Sequence, residues 1–173
     1  MKNTLPVLGF AAFSGTGKTT LLKQLIPRLA AQGVRVAVIK HAHHNFDIDQ
    51  PGKDSYELRK AGASQMLVAS SKRQALMTEY STPQEPRLDE LITCLDPDNI
   101  ELVLIEGFKH VPFPKIELHR QALGKTLLYP QDPGIIALAS DHPADCSGLP
   151  SLDINDSDAI AAFIVAWLGG ETA

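Results

Sequence analysis

The chain has 173 residues, 44% of them apolar and 21% charged, with a formal net charge of −4. That is the length of a single domain (residues 1–173) and the composition of a globular one, which excludes a disordered chain and a disulfide-stapled mini-fold. Two cysteines, Cys94 and Cys146, form no CxxC pair to frame a zinc site, and the acidic balance offers no broad basic field for nucleic acid.

The apolar opening MKNTLPVLGFAAFSG is short and runs into GTGKTT rather than into a cleavage site. The longest later apolar stretch, residues 159–168, is half a bilayer span. The expectation is a cytoplasmic protein without membrane contact.

In chain order, residues 5–12 read as a strand that ends in glycines. Residues 18–32 read as a helix whose Leu21, Leu22, Leu25, Ile26 and Leu29 share one stripe. Pro27 lies inside that stripe, where it should kink the helix or remove one hydrogen bond, and Gly33 stops the helix. Residues 34–40 (VRVAVIK) are a β-branched run, hence a second strand, expected to be buried on both faces and to lie beside the phosphate loop. A dense polar loop, residues 41–55, leads to a short helix over 56–61 that Asp54 or Ser55 can cap. Residues 65–69 and 74–79 are two strands joined by the tight 70–73 turn, a hairpin. Residues 88–95 are a helix, 101–105 a strongly hydrophobic strand, and 115–119 and 134–139 two further strands. The last helix spans about 156–168, with Ile160, Phe163, Ile164, Trp167 and Leu168 in one stripe.

This alternation predicts an α/β fold with a mostly parallel sheet and helices on both faces. The hairpin is expected to make that sheet mixed and to leave an edge on which a second copy pairs, giving a homodimer.

Three places carry chemistry. The first is Ala12-Phe13-Ser14-Gly15-Thr16-Gly17-Lys18-Thr19, a phosphate-loop pattern with Ala in place of the first Gly, between a buried strand and an amphipathic helix. Gly15 and Gly17 allow successive backbone N–H groups to turn inward around an anion, and the helix N-terminus adds positive potential. Lys18 would reach the β- and γ-phosphates, Thr19 would ligate Mg²⁺, and Thr20 would meet the α-phosphate. The second is Glu106-Gly107 at the end of the 101–105 strand, which places an acid at the Mg²⁺ end of such a site. The third is the loop holding His41, His43, His44, Asp47, Asp49, Lys53 and Asp54. One of its acids could orient the attacking water or hold Mg²⁺, with Asp49 taken for the reaction and Asp47 for the metal. Its histidines could instead bind a transition metal, or the loop could dock a partner. Asn-Lys-x-Asp is absent; Ala139-Ser140-Asp141 ends a strand where a base-reading loop would sit, and Asp141 could accept from guanine N1–H and N2–H₂. Arg120 and Lys109 are read as flanking the Glu106 strand, within reach of phosphate.

AFSGTGKTT, the loop KHAHHNFDID with PGKDS, LIEGFK, PKIELHR and ALASD together resemble the molybdopterin-guanine dinucleotide biosynthesis protein B family. The resemblance covers residues 5 to about 168. It implies a P-loop NTPase fold and a weak GTPase that forms homodimers. Such a protein assists the guanylyltransferase that attaches GMP to molybdopterin, in molybdenum cofactor biosynthesis. Carried over to this chain, it puts Ser14, Gly15, Thr16, Gly17, Lys18, Thr19 and Thr20 around GTP phosphates, Thr19 and Glu106 at Mg²⁺, and Asp141 near guanine. A small-molecule kinase or ligase, and a metallochaperone using His41, His43 and His44, are the competing readings.

Overall fold

The computed structural model describes residues 5–42, 46–142, 146 and 148–170. Packing divides the chain into two compact units, Met1–His41 with Leu88–Ala173 and, inserted between them in sequence, Ala42–Arg87.

The first unit is built on β1 (Val7–Ala12), α1 (Lys18–Ala31) and β2 (Val36–Lys40), and on α3 (Leu88–Thr93) and β5 (Leu102–Glu106) after the insertion. β6 (Lys115–His119), β7 (Ile135–Ser140), β8 (Ser151–Asp153) and α4 (Ser157–Leu168) complete it. Six strands form one sheet in the order β2-β5-β1-β6-β7-β8, and every pairing is parallel. A parallel sheet needs cover on both faces. On one face Leu8, Phe10, Leu104, Ile116 and Leu118 pack under α1 and α4, which bring Leu25, Leu29, Ile160 and Ile164. On the other, Ile39, Val103, Ile105 and Phe108 pack with Leu88 of α3. Each of the fully buried leucines and isoleucines stabilises the fold by about 1.5–3 kcal/mol.

α1 runs uninterrupted through Pro27. It ends in a Schellman motif: Gly33 at φ 82° donates to Ala30 and Val34 donates back to Leu29. α4 starts at Asp156, whose carboxylate accepts from the amides of Asp158 and Ala159. Gly9, in mid-strand, is there because a Cβ would run into the Phe113 ring.

Four sequence expectations are corrected. The 34–40 segment is not buried on both faces: β2 is the sheet edge, with Val38 45% exposed, and β5 stands between it and β1. Arg120 follows β6, on the opposite side of β1 from β5, so it does not flank the Glu106 strand. The hairpin does not join the main sheet: β3 (Gln65–Ala69) and β4 (Gln74–Thr78) pair antiparallel as a two-stranded sheet in the inserted unit. That unit also holds α2 (Asp54–Lys60). Its N-cap is Lys53 with no side-chain cap, because the Ser55 hydroxyl donates to Asp49 Oδ1 and Asp54 is already helical. The α/β, P-loop NTPase-like class with its parallel sheet and two covered faces holds.

Candidate functional site

A wholly parallel sheet brings the C-terminal ends of all its strands to one edge, where open α/β folds bind ligands. The loop after β1 sits there between β5 and β6. The chain goes from β1 to one side of the sheet and later from β5, across β1, to the other. This is the switch point at which open α/β folds form their binding crevice.

Gly15 and Gly17 both take left-handed backbone, at φ 84° and 96°. Thr16 between them is 2% exposed, and its hydroxyl donates to the Phe13 carbonyl at 2.8 Å. The first backbone bond of α1 runs from Leu21 N–H to Gly17 O, so the amides of Lys18, Thr19 and Thr20 precede the helical ladder. No side chain caps them and no acid lies in the first turn, in contrast to α4. Ser14, Gly15, Thr19 and Thr20 are exposed. The result is an inward-curled run of amides that opens onto solvent at a positive helix end, the arrangement that holds a polyphosphate.

Strand alternation puts Glu106 on the same face as Leu102 and Leu104, which is the α1 face. Its two carboxylate oxygens lie 3.7 Å from Lys18 Nζ and 3.6 Å from Lys40 Nζ. Lys40 was missed in the sequence. It is the last residue of β2 and stands in register with Glu106; in a parallel sheet each strand's last residue is a site candidate, and that rule would have found it.

The turn after Glu106 is tight. Gly107 has φ 101° and a Cβ there would meet that of His41 at 2.7 Å, so only glycine fits. Phe108 follows at φ 53°, the one non-glycine with positive φ among the described residues, and it stacks on the His41 ring with centroids 4.8 Å apart. The His41 amide donates to the Glu106 carbonyl at 2.8 Å. His43 and His44 lie outside the described residues.

The far side of the loop is lined by the segment after β6. Arg120 Nε donates to the Thr16 carbonyl at 3.0 Å, and Lys125 Nζ lies 5.8 Å from the Phe13 ring centre. Asp141, directly after β7, accepts from the Gln121 amide at 3.0 Å and from Arg120 at 3.5 Å. The Gln121 amide first, then the Arg120 charge, hold its carboxyl below the ordinary aspartate range. A carboxylate has about four lone-pair positions, so acceptor capacity is left over.

Asp47 and Asp49 belong to the inserted unit. Both are drawn to Arg59 of α2, at 2.7 and 3.4 Å, and Glu79 binds the same guanidinium. The Arg59 side chain is 6% exposed. The Asp49 amide and then the Arg59 charge hold the Asp47 carboxyl low.

Residues 7–141 match the family model for molybdopterin guanine dinucleotide synthesis protein B. The chain belongs to this family. It is 51% identical over 170 residues to the Escherichia coli K12 molybdopterin-guanine dinucleotide biosynthesis adapter protein, covering 96% of this chain and 95% of that one. It is 47% identical over 169 residues to the Haemophilus influenzae protein of the same description, covering 97% and 92%. A family crystal structure, described as molybdopterin-guanine biosynthesis protein B, superposes with a TM-score of 0.70 at 25% identity, over 93% of this chain and 99% of that one. No helix among the described residues is long and apolar enough to cross a membrane.

Proposed function

We propose that the chain is a GTP-binding adapter in molybdopterin guanine dinucleotide biosynthesis, a weak GTPase whose nucleotide state governs docking to the guanylyltransferase. The observation that carries the nucleotide reading is the Gly15–Gly17 cradle opening onto the uncapped start of α1 with Lys18 beside it. The adapter role is supported by the description its Escherichia coli relative carries.

In this reading the amides of residues 14–19 surround the β- and γ-phosphates of GTP, and Lys18 moves its charge from Glu106 onto them. Thr19 and Glu106 present the hard oxygen donors that Mg²⁺ takes and would hold it, and the ion would supply positive charge against the phosphates. The Thr20 hydroxyl meets the α-phosphate. Asp141 closes the base end, its remaining lone pairs directed to the paired donors of guanine. Asp47 and Asp49, whose charge Arg59 answers, are read as the scaffold of the inserted unit. Hydrolysis without an inserted arginine is slow, on the order of 10⁻⁴ s⁻¹ in unassisted cases, which suits a switch better than a metabolic catalyst.

A second copy of the chain is the proposed occupant of the β3–β4 hairpin. A lone two-stranded sheet is marginal in water. Leu67 and Leu76 face each other across it, 58% and 56% exposed.

Calorimetry with GTP, ATP and Mg²⁺ tests the nucleotide reading. GTP binds the parent protein, and Lys18→Ala removes that binding while the circular dichroism stays native. A parent protein that takes up no purine triphosphate overturns the reading.

A further inference from the structure

We infer that Arg120 is a positioning residue that sets the phosphate loop and couples it to the base end of the site, an inference that rests on the nucleotide reading above. Its guanidinium serves three acceptors from three different parts of the chain. Nε donates to the Thr16 carbonyl at 3.0 Å, Nη1 to Asp141 Oδ2 at 3.5 Å, and Nη2 to Asn155 Oδ1 at 3.1 Å. Thr16 is in the phosphate loop, Asp141 follows β7, and Asn155 sits between β8 and α4.

The first of these bonds acts through peptide geometry. In a trans peptide the carbonyl of one residue and the N–H of the next point in opposite directions. Holding the Thr16 oxygen toward Arg120 therefore turns the Gly17 amide away from it, toward the inside of the cradle. The Thr16 hydroxyl bond to Phe13 fixes the same residue from the other side. Arg120 touches no phosphate in this arrangement; it keeps a donor aimed at one.

The second bond links this to base recognition. Asp141 is held from one side by the Gln121 amide and from the other by Arg120. A guanidinium is a rigid planar fork, so its three contacts are not independent. Anything that fixes Asp141 also fixes the direction of Nε, and so the loop. Lysine carries the charge but cannot span three acceptors in one plane.

The experiment uses the intact chain and two probes with Mg²⁺: GTP, and inorganic tripolyphosphate, which has no base. The variants are Arg120→Ala, Arg120→Lys, Asp141→Asn and the double variant Arg120→Ala/Asp141→Asn. Arg120→Ala is expected to weaken tripolyphosphate by about tenfold or more, the scale of one hydrogen bond to a charged group. Arg120→Lys does not restore it. Asp141→Asn also weakens tripolyphosphate, although that probe offers no base to read, and adds nothing further once Arg120 is alanine. A thermal midpoint of Arg120→Lys within a few degrees of the parent shows that the loss is not unfolding. The inference is overturned alone if the parent binds both probes and Arg120→Ala binds tripolyphosphate as well as the parent does. It is equally overturned if Arg120→Lys restores affinity, or if the Asp141→Asn effect is confined to GTP. A parent protein that binds neither probe overturns the nucleotide reading, and this inference with it.

Discussion

Gly17→Ala isolates the cradle from the fold, because the structure supplies its own control. Gly17 sits at φ 96° and Gly33 at φ 82°, both in the left-handed region, one at the start of α1 and one past its end. Placing a Cβ in that region costs about 1–2 kcal/mol. At Gly17 the nearest atom to an added Cβ is Arg120 Nε at 3.9 Å, an ordinary contact, and at Gly33 nothing lies within 4 Å. Neither substitution therefore adds a clash, and the two carry the same conformational penalty. Gly33→Ala loses that amount of stability outright, read as a shift of its urea unfolding curve, whereas Gly17→Ala loses less of it, to the extent that its loop relaxes. They part in binding. At Gly17 the loop relieves its strain by rotating an amide out of the cradle, and triphosphate must restore it at the same cost. Affinity for GTP then falls about 5–30-fold, the factor that one to two kcal/mol represents. At Gly33, about fourteen residues from the cradle along α1, affinity is unchanged. Equal GTP affinities for the two variants, measured by calorimetry, would show that this backbone is not the phosphate cradle.

The Leu67→Lys/Leu76→Lys double variant places two like charges opposite each other on the hairpin; sedimentation is expected to show a dimer for the parent and a monomer for the variant, and an unchanged dimer removes the hairpin from the interface. Acid stability follows from Asp47, whose folded-state pKa is depressed by the Asp49 amide and then by Arg59: its contribution is complete above its unfolded pKa of about 3.9 and is lost as pH falls through the lower, folded value. The thermal midpoint of the parent should thus hold level above about pH 5 and drop below about pH 4. Asp47→Asn should start lower and drop less, and identical curves for the two proteins would refute the Arg59 pairing.

What the sequence showed was local. The phosphate loop is contiguous, and strand, glycines, Lys18 and helix stripe all fall within residues 7–31, so pattern reading located them to within a residue or two. The hairpin was equally local, its turn fixed by the Ser70 hydroxyl, which accepts from the amides of Lys72 and Arg73. Strand order was not local. Nothing in VRVAVIK says that a strand more than sixty positions later takes the place beside β1, and a β-branched run reads the same at a sheet edge as in its middle. The Arg59 group was hidden for the same reason: Asp47, Asp49 and Glu79 reach it across spacings of 12, 10 and 20 residues that match no helical or strand period. β8, at three residues, was too short to show a pattern. The chemistry-bearing residues of the loop were legible as a dense set of acids and histidines, but which charge answers which depends on Arg59, and no spacing rule names it.

β6 shows how the site edge is tied down. A strand paired on both sides in a parallel sheet is expected to be apolar throughout, yet PKIELHR alternates. Its even residues Ile116 and Leu118 enter the core, while Lys115 and Glu117, 4% and 1% exposed, are charged and buried on the other face. Burying a charge costs free energy unless it is paired or hydrogen-bonded, and here each partner lies in one segment, residues 125–132. Glu117 accepts from the amides of Leu128 and Tyr129 at 2.7 and 2.8 Å, and Lys115 binds Asp132 at 3.0 Å. His119 adds a bond to the Lys125 carbonyl at 3.0 Å. Three successive side chains on one face thus pin a segment with little regular structure along its length. The chain leading into that segment starts at Arg120, passes Leu123 beside Gly15, and sets Lys125 over the Phe13 ring. The polar face of β6 therefore does for the flank of the phosphate loop what Thr16 does for the loop itself: it fixes backbone that has no helix or strand to hold it. Charged residues in the middle of a buried strand are the cost of tying down this edge, and they mark the side of the sheet on which the backbone flanking residues 13–17 is held by side-chain bonds.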